Sequence, residues 1–273
     1  MSRLEELLDV TASADEVFTG PGGGPDGKRT YGGQLTAQTL MAAGRTVNAG
    51  RPPVSLQLQF LRAGAAGDPV DYRVSALTDG RTTAVRQVLG MQGERVLSIA
   101  TVVFADPLGG PEHGATPDMP EQPEALPTTG PAGSAPAMPL EELDIRISDR
   151  GAGMQFCRHF WWRATVTLPA DPLLHAAAAL YTTDVYGLDP ALQVHGHALG
   201  DGTHRTGTTG TAVWFHHPIR ADRWNVLASS SPAASRGRGV ITAALADADG
   251  RRVATVVQEG LVTPRDPHPT ERK

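Results

Sequence analysis

The sequence has little of several features that would point to a particular class of protein. It has one cysteine, Cys157, in 273 residues, so no disulfide can form within the chain and secretion is not indicated. No apolar run approaches the roughly 20 residues of a membrane-spanning helix. The first ten residues include Glu5 and Glu6 and no long apolar stretch, so no signal peptide is predicted. The sequence therefore predicts a cytoplasmic protein with no membrane span.

Lysine is almost absent as well, because only Lys28 and Lys273 are lysine. The formal net charge is −5. An acidic protein lacks the basic footprint that nucleic-acid backbones require. We therefore do not expect nucleic acid as a partner.

Several motifs that mark a cofactor or a nucleophile are missing. The sequence has no G-x-S-x-G, no H-E-x-x-H, no paired C-x-x-C and no G-x-G-x-x-G that opens a helix, which argues against the corresponding hydrolase, zinc and dinucleotide sites. His195 with His197, and His216 with His217, have no cysteine or carboxylate at a useful spacing. We expect neither a metal ion nor a cofactor.

Glycine and proline are plentiful but unevenly spread. Nine of the 22 prolines fall between Pro107 and Pro139, where proline removes backbone donors and blocks helices. This stretch predicts a mobile linker over residues 106–140. The chain then divides into a first half at 1–105, the linker at 106–140 and a second half at 141–273.

Both halves have the pattern of an α+β fold in which strands dominate. From Val54 to Phe60 apolar residues alternate with polar ones, which is typical of a half-buried strand. Further strands are predicted at 70–77, 82–91 and 95–104, with hairpin turns between them. One helix is predicted at 34–47.

The second half repeats the plan of the first. Phe60 and Gly93 correspond to Phe215 and Gly250, at offsets of 155 and 157 residues. The pair Tyr31 and Tyr181 gives an offset of 150, which predicts that Gln34 and Asp184 occupy equivalent points. Each half, one helix followed by antiparallel strands, describes a curved sheet wrapped on a helix, and the two would join into one long sheet.

Three polar residues lie in apolar or small-residue surroundings. Asp184 follows an apolar helix, Thr208 lies in a strand before Trp214, and Gln258 interrupts an apolar run. A buried glutamine without partners is costly. Taken singly, each is also compatible with an edge or capping residue that faces water.

Several segments together resemble the bacterial and peroxisomal acyl-CoA thioesterase II family, in order and over nearly the whole chain outside the linker. They are Tyr31-Gly-Gly-Gln-Leu-Thr-Ala-Gln38, Gln59-Phe-Leu-Arg62, Val213-Trp-Phe-His216, Ser235-Arg-Gly237 and Val257-Gln-Glu-Gly260.

The resemblance implies a double-hotdog fold and hydrolysis of an acyl-CoA thioester without a covalent intermediate. By position, the family's water-holding residues correspond to Asp184 as base and to Thr208 and Gln258 as hydrogen-bonding partners. The helix start near Gly33 and Gln34 is expected to offer backbone N–H groups to the substrate. The resemblance also implies a homo-oligomer.

The chain departs from the family pattern at two places. Gly210-Thr211 stand where the family usually has Asp-His, and Gln57 stands where it tends to have His. Two alternatives therefore stay open: a hotdog protein that binds acyl thioesters or acts on carrier-bound acyl chains, and a hotdog dehydratase, which would need a catalytic histidine. Neither the acyl chain length nor the arginines that bind phosphate follow from the sequence.

Overall fold

The computed structural model describes residues 2–24, 27–48, 50–128 and 141–265. Four α-helices and twelve strands make up its regular structure, together with two short 3-10 helices. The α-helices are α1 (Arg3–Leu8), α2 (Gly32–Gly44), α3 (Pro172–Thr183) and α4 (Asp189–Gln193), and the strands are β1 (Thr11–Ala14), β2 (Val17–Gly20), β3 (Pro53–Phe60), β4 (Val70–Asp79), β5 (Thr83–Gln92), β6 (Arg95–Ala105), β7 (Leu143–Arg150), β8 (Cys157–Ala164), β9 (His204–Phe215), β10 (Asn225–Ser235), β11 (Arg238–Asp247) and β12 (Arg252–Pro264).

All twelve strands form one antiparallel sheet. Their order is β1-β2-β4-β5-β6-β3-β9-β12-β11-β10-β8-β7, and every pairing is antiparallel. The two halves of the sheet are arranged symmetrically about the pair of central strands, β3 and β9. Counted outward from that pair, β6 of the first half corresponds to β12 of the second, and β5 corresponds to β11. The predicted α+β double hotdog, two repeats joined into one long sheet, is confirmed.

The long helices α2 and α3 pack on one face of this sheet and on each other. Helix α3 begins where the Asp171 carboxylate accepts a hydrogen bond from the Leu173 N–H at 2.9 Å, with Pro172 in the first turn. The four alanines of α3, with Leu174 and Leu180, are buried almost completely. The two helices therefore supply the apolar surface that covers this face of the sheet.

In the first half, a polar network fills part of the space between helix and sheet. The Tyr72 hydroxyl donates to Gln38 Oε1 at 2.7 Å, and Gln38 Nε2 donates to the Leu7 carbonyl at 2.7 Å. Both side chains are fully buried, and their polar atoms are paired as burial requires. This network also ties α1, which the sequence pattern did not predict, to α2.

The predicted repeat is correct for the strands and wrong for the helices. Helix α2 starts at Gly32, directly after Tyr31, whereas Tyr181 lies in the last turn of α3. The two tyrosines are contact partners instead of equivalents: their ring centroids are 5.1 Å apart, and the Tyr31 hydroxyl donates to the Tyr181 carbonyl at 2.7 Å. Counted from the helix ends, Asp184 corresponds to Arg45, since each is the C-cap of its helix.

Part of the predicted linker is attached to the second half. Trp161 Nε1 donates to the Glu121 carbonyl at 3.0 Å, and Arg146 Nη1 donates to the Pro123 and Leu126 carbonyls at 2.9 Å each. Residues 106–128 thus contain little regular structure, but residues 121–126 are held by the buried Trp161 of β8 and the partly buried Arg146 of β7. The remainder of the predicted linker, 129–140, lies outside the described residues.

The helices described are short. The longest, α2, has 13 residues, and within the described ranges no helix has the length and hydropathy needed to span a bilayer.

Candidate active site

Three side chains predicted from the sequence meet where the two halves join. Asp184 ends α3, Thr208 lies on β9 and Gln258 lies on β12. The Thr208 hydroxyl donates to Asp184 Oδ1 at 2.8 Å, and Gln258 Nε2 donates to the same oxygen at 3.4 Å. One carboxylate oxygen thus accepts a hydrogen bond from each of the two neutral side chains.

An irregularity in β9 brings Thr208 to the site. Thr208 lies opposite Gly260 and Thr211 opposite Gln258, so three steps along β9 match two steps along β12. This is a β-bulge, which turns the strand and redirects a side chain. In a regular strand, residues three apart face opposite sides of the sheet, so the bulge lets Thr208 share the face on which Gln258 is buried.

The first half contributes the start of α2, whose glycines allow a close approach to Asp184. A Cβ atom on Gly32 would lie 2.6 Å from Asp184 Oδ2 and 3.1 Å from the Phe60 ring, so no larger residue fits without movement. The Gly33 backbone N–H hydrogen-bonds to the Asp184 carboxylate. The carboxylate therefore lies at the positive end of the α2 dipole.

The surroundings of Asp184 raise its pKa to about 6. Burial is the largest cause, because it penalises the charged form, and the hydrogen bonds from Thr208, the Gly33 backbone and Gln258 lower the pKa and partly offset burial. A carboxyl group with a pKa near neutrality can both accept and return a proton, which is the requirement for general base catalysis.

Gly187 is a further member of the site that the sequence did not single out. A Cβ atom at this position would collide with Gln258 Oε1 and would lie 3.4 Å from Asp184 Oδ1. Gly187 lies three residues after Asp184, in Val185-Tyr186-Gly187. A glycine shortly after the end of an apolar helix is the feature of the sequence that could have indicated it. It gives the Gln258 amide the room to reach the carboxylate.

Gln34 lies elsewhere. Its Nε2 donates to the Pro21 carbonyl at 2.7 Å, and its side chain is almost fully buried against the segment before α2. The predicted equivalence of Gln34 and Asp184 is wrong, since Gln34 lies in the first turn of α2 and Asp184 follows the last turn of α3.

Two spaces adjoin the triad of Asp184, Thr208 and Gln258. An open cleft of about 330 Å³ leads from solvent to Asp184 and Thr208 between the two halves. A closed space lies on the other side of Gln258, between α3 and strands β8 and β10 to β12. It is mostly apolar, and its water-accessible volume of about 10 Å³ is close to that of a single water. Its lining includes Phe160, Leu227, Ile241, Ala243, Val256 and Arg158.

Within the described ranges, no group of three or more His, Cys, Asp or Glu side chains is arranged to hold a metal ion. The His197 and His204 rings are in contact in a tilted arrangement, with centroids 4.7 Å apart and an angle of 55° between their planes. The His216 ring is hydrogen-bonded to the Thr255 hydroxyl at 2.9 Å.

Comparison with known proteins relates both halves of the chain to one group of enzymes. A family model for the acyl-CoA thioesterase N-terminal domain matches residues 21–105, and one for the C-terminal domain of the same enzymes matches residues 116–262. The chain belongs to the acyl-CoA thioesterase family. This assignment makes it a thioester hydrolase.

Individual relatives cover nearly the full length. This thioesterase is 25% identical to acyl-CoA thioesterase 2 of Haemophilus influenzae over 278 residues, 96% of this chain and 97% of the relative. It is similar to the crystal structure of an acyl-CoA thioesterase II from Mycobacterium marinum, with a TM-score of 0.82, 28% identity and coverage of 98% and 100%. A conserved hot dog protein from Alicyclobacillus acidocaldarius has a TM-score of 0.75 at 18% identity, covering 98% and 100%.

The positions at which this thioesterase departs from the family pattern differ in their distance from the site. Gln57 is exposed, whereas Leu56 and Leu58, which precede and follow it along β3, are buried. Thr211 is buried opposite Gln258, and its hydroxyl has no hydrogen-bond partner among the described residues. Thr211, and not Gln57, therefore borders the triad.

Proposed function

We propose that this protein hydrolyses acyl-CoA to a free carboxylic acid and CoA, by means of a water molecule activated by Asp184. The observation that carries the proposal is the convergence of the Thr208 hydroxyl and the Gln258 amide on Asp184 Oδ1 at the bottom of an open cleft. The other carboxylate oxygen, Oδ2, faces Gly32, which lines that cleft. Oδ2 is thus the natural place for the water.

The reaction needs only water, the acyl-CoA and the side chains of the triad. Asp184 accepts a proton from the water as the water oxygen attacks the thioester carbonyl, and the C–S bond then breaks. The proton on Asp184 passes to the departing CoA thiolate, which restores the carboxylate. Thr208 donates to Oδ1 and can accept a hydrogen from the water, so it fixes both partners.

The start of α2 supports the base in this mechanism. The Gly33 N–H, for which we expected a role toward the substrate, hydrogen-bonds to Asp184, and the Gln34 side chain is engaged by Pro21. We assign Gly33 to orienting the carboxylate. Gln34 supports the segment at residues 21–23 and receives no role toward the substrate.

The closed space behind Gln258 is the place we assign to the acyl chain. It adjoins the triad, and its walls are mainly aliphatic and aromatic. Arg158 also lines it, but the charge of Arg158 is paired with Asp149 at 2.7 Å and with Asp189. An apolar chain gains from leaving water there. Because the space is nearly closed, longer chains must displace side chains to enter.

A second candidate is a protein that binds acyl thioesters without hydrolysing them. The two differ in the release of CoA, which a thiol-reactive dye reports, across acetyl-, butyryl-, octanoyl- and palmitoyl-CoA. Binding of the same compounds is measured by calorimetry. Hydrolysis of at least one chain length supports the enzyme, whereas binding of these thioesters with no release of CoA above the uncatalysed rate would contradict it.

Three further expectations remain predictions. They are a cytoplasmic location, a homo-oligomeric state and a role in fatty acid metabolism. Light scattering coupled to size-exclusion chromatography measures the oligomeric state directly, and a monomeric mass would contradict that expectation.

A further inference from the structure

The cleft that reaches Asp184 opens beside a cluster of basic side chains. Arg29 and Arg62 line the cleft. Arg95 Nη2 donates to the Ala63 carbonyl at 3.2 Å, which places its guanidinium against the loop that follows β3. The Lys28 carbonyl accepts a hydrogen bond from the Ala66 N–H at 2.9 Å, which ties Lys28 to the same loop. We refer to Lys28, Arg29, Arg62 and Arg95 as the basic rim.

The charge on this rim stands out against the rest of the molecule. The chain has a net charge of −5, and one of its two lysines lies in the rim. Among the described residues many arginines pair with a carboxylate, as Arg86 does with Asp79 at 2.8 Å and Arg220 with Asp222 at 2.6 Å. The rim side chains form no such ion pair within the described part of the chain, and they lie together at one place. A positive surface therefore lies at one mouth of an acidic protein.

The hydrogen bonds that orient the rim leave its charge in place. Arg62 Nη1 donates to the Val96 carbonyl at 3.2 Å, and Arg95 donates to the Ala63 carbonyl. Carbonyls are neutral acceptors, so each guanidinium keeps its charge and further donors for an anion. The carboxylate among the residues that line the cleft is Asp184, at the bottom.

We propose that the basic rim binds the phosphates of coenzyme A, while the pantetheine arm runs down the cleft to the triad. The inference rests on the proposed function and adds the recognition of the substrate's distal end. Coenzyme A carries a diphosphate and a 3′-phosphate on its nucleotide, and arginine matches phosphate oxygens in a bidentate manner. A phosphopantetheine arm on a carrier protein carries a single phosphodiester, so the rim selects CoA thioesters over carrier-bound ones.

The experiment compares acyl-CoA with the corresponding acyl-pantetheine, which has the same thioester and no phosphate. The variant is Arg29→Ala combined with Arg62→Ala. We expect the wild-type preference for acyl-CoA, as the ratio of kcat/KM values, to fall by about tenfold to a hundredfold. The fall is expected in KM, because the lost contacts are remote from the reacting carbonyl.

The matched control is Arg81→Ala. Arg81 is an exposed arginine in the turn between β4 and β5, at the opposite end of β5 from Arg95, and we expect no change in the ratio. Calorimetry with free CoA gives a second readout that does not depend on turnover. The Kd for CoA should rise in the Arg29/Arg62 double variant by a factor similar to the KM and stay unchanged in Arg81→Ala.

The outcomes separate this inference from the proposed function. If wild type hydrolyses acyl-CoA and acyl-pantetheine with equal kcat/KM, or if the double variant keeps the wild-type ratio and Kd for CoA, the rim does not bind the phosphates. If wild type releases no thiol from either thioester, the proposed function fails. The Kd values for CoA still decide whether the rim binds its phosphates.

Discussion

The raised pKa of Asp184 makes a quantitative prediction about stability. In the folded protein the pKa is about 6, against an ordinary value of 3.8, which is a difference of about two units. One unit corresponds to about 1.4 kcal/mol. Because Asp184 retains some exposure to the cleft, we expect about 1–3 kcal/mol of destabilisation when the carboxylate is charged.

The sign of the effect follows from proton binding. Between about pH 4 and pH 6 the folded state holds a proton on Asp184 that the unfolded state releases, so the free energy of unfolding falls as pH rises through this window. Asp184→Asn keeps an acceptor for Thr208 and cannot ionise. The variant should therefore gain stability relative to wild type by about 1–3 kcal/mol above about pH 7, and the gain should vanish near pH 4.

The assay is denaturant unfolding of wild type and Asp184→Asn at several pH values, read by tryptophan fluorescence. Asp201→Asn provides a control of opposite sign, because hydrogen bonds from Thr203 and Ala198 lower the pKa of Asp201 to about 2. Its carboxylate contributes stability that is lost as pH falls below about 4. A difference between Asp184→Asn and wild type that stays constant from about pH 4 to pH 8 would refute the reasoning.

Three further predictions concern activity and packing. The kcat/KM for CoA release should rise about tenfold per pH unit below about pH 6 and level off above it, because the base must be ionised; a flat profile would exclude Asp184 as the base. Ala243→Met should reduce kcat/KM for octanoyl-CoA about tenfold or more and leave kcat/KM for acetyl-CoA unchanged, because residue 243 lines the closed space. The control Thr242→Met, at an exposed position of the same strand, should leave the dependence of kcat/KM on chain length unchanged. Thr211→Val should raise the free energy of unfolding by about 1 kcal/mol, since it removes a buried hydroxyl without a described partner, whereas Thr209→Val, which loses a hydrogen bond to the Glu259 carbonyl, should not.

Much of the fold could be predicted because its signals are local. Alternation from Val54 to Phe60 indicates one strand, and β3 spans Pro53–Phe60. The turn at Gly93 separates β5 from β6 as predicted, since a hairpin needs its backbone conformation at that point. These features depend on residues that lie close together along the chain, so the sequence alone is enough to predict them.

The arrangement of the site depends on contacts that the sequence does not display. The separation of Tyr31 and Tyr181, 150 residues, is close to the offsets of the other matched pairs, and it therefore predicts that the two tyrosines are equivalent. In the structure they are in contact, because α2 begins where α3 ends. The bulge that redirects Thr208 is a mismatch of register between β9 and β12, and neither strand reveals it by itself. Apolar surroundings single out Asp184, Thr208 and Gln258 in the sequence, but only the family resemblance implies that the three act together.

The most direct test of the account is the rate of CoA release by Asp184→Asn at about pH 8, measured in a single turnover with enzyme in excess over acyl-CoA. The account predicts a rate about a hundredfold to ten-thousandfold below that of wild type, the range for a lost general base, while calorimetry shows acyl-CoA still bound. A variant that releases CoA as fast as wild type would contradict the claim that Asp184 activates the water.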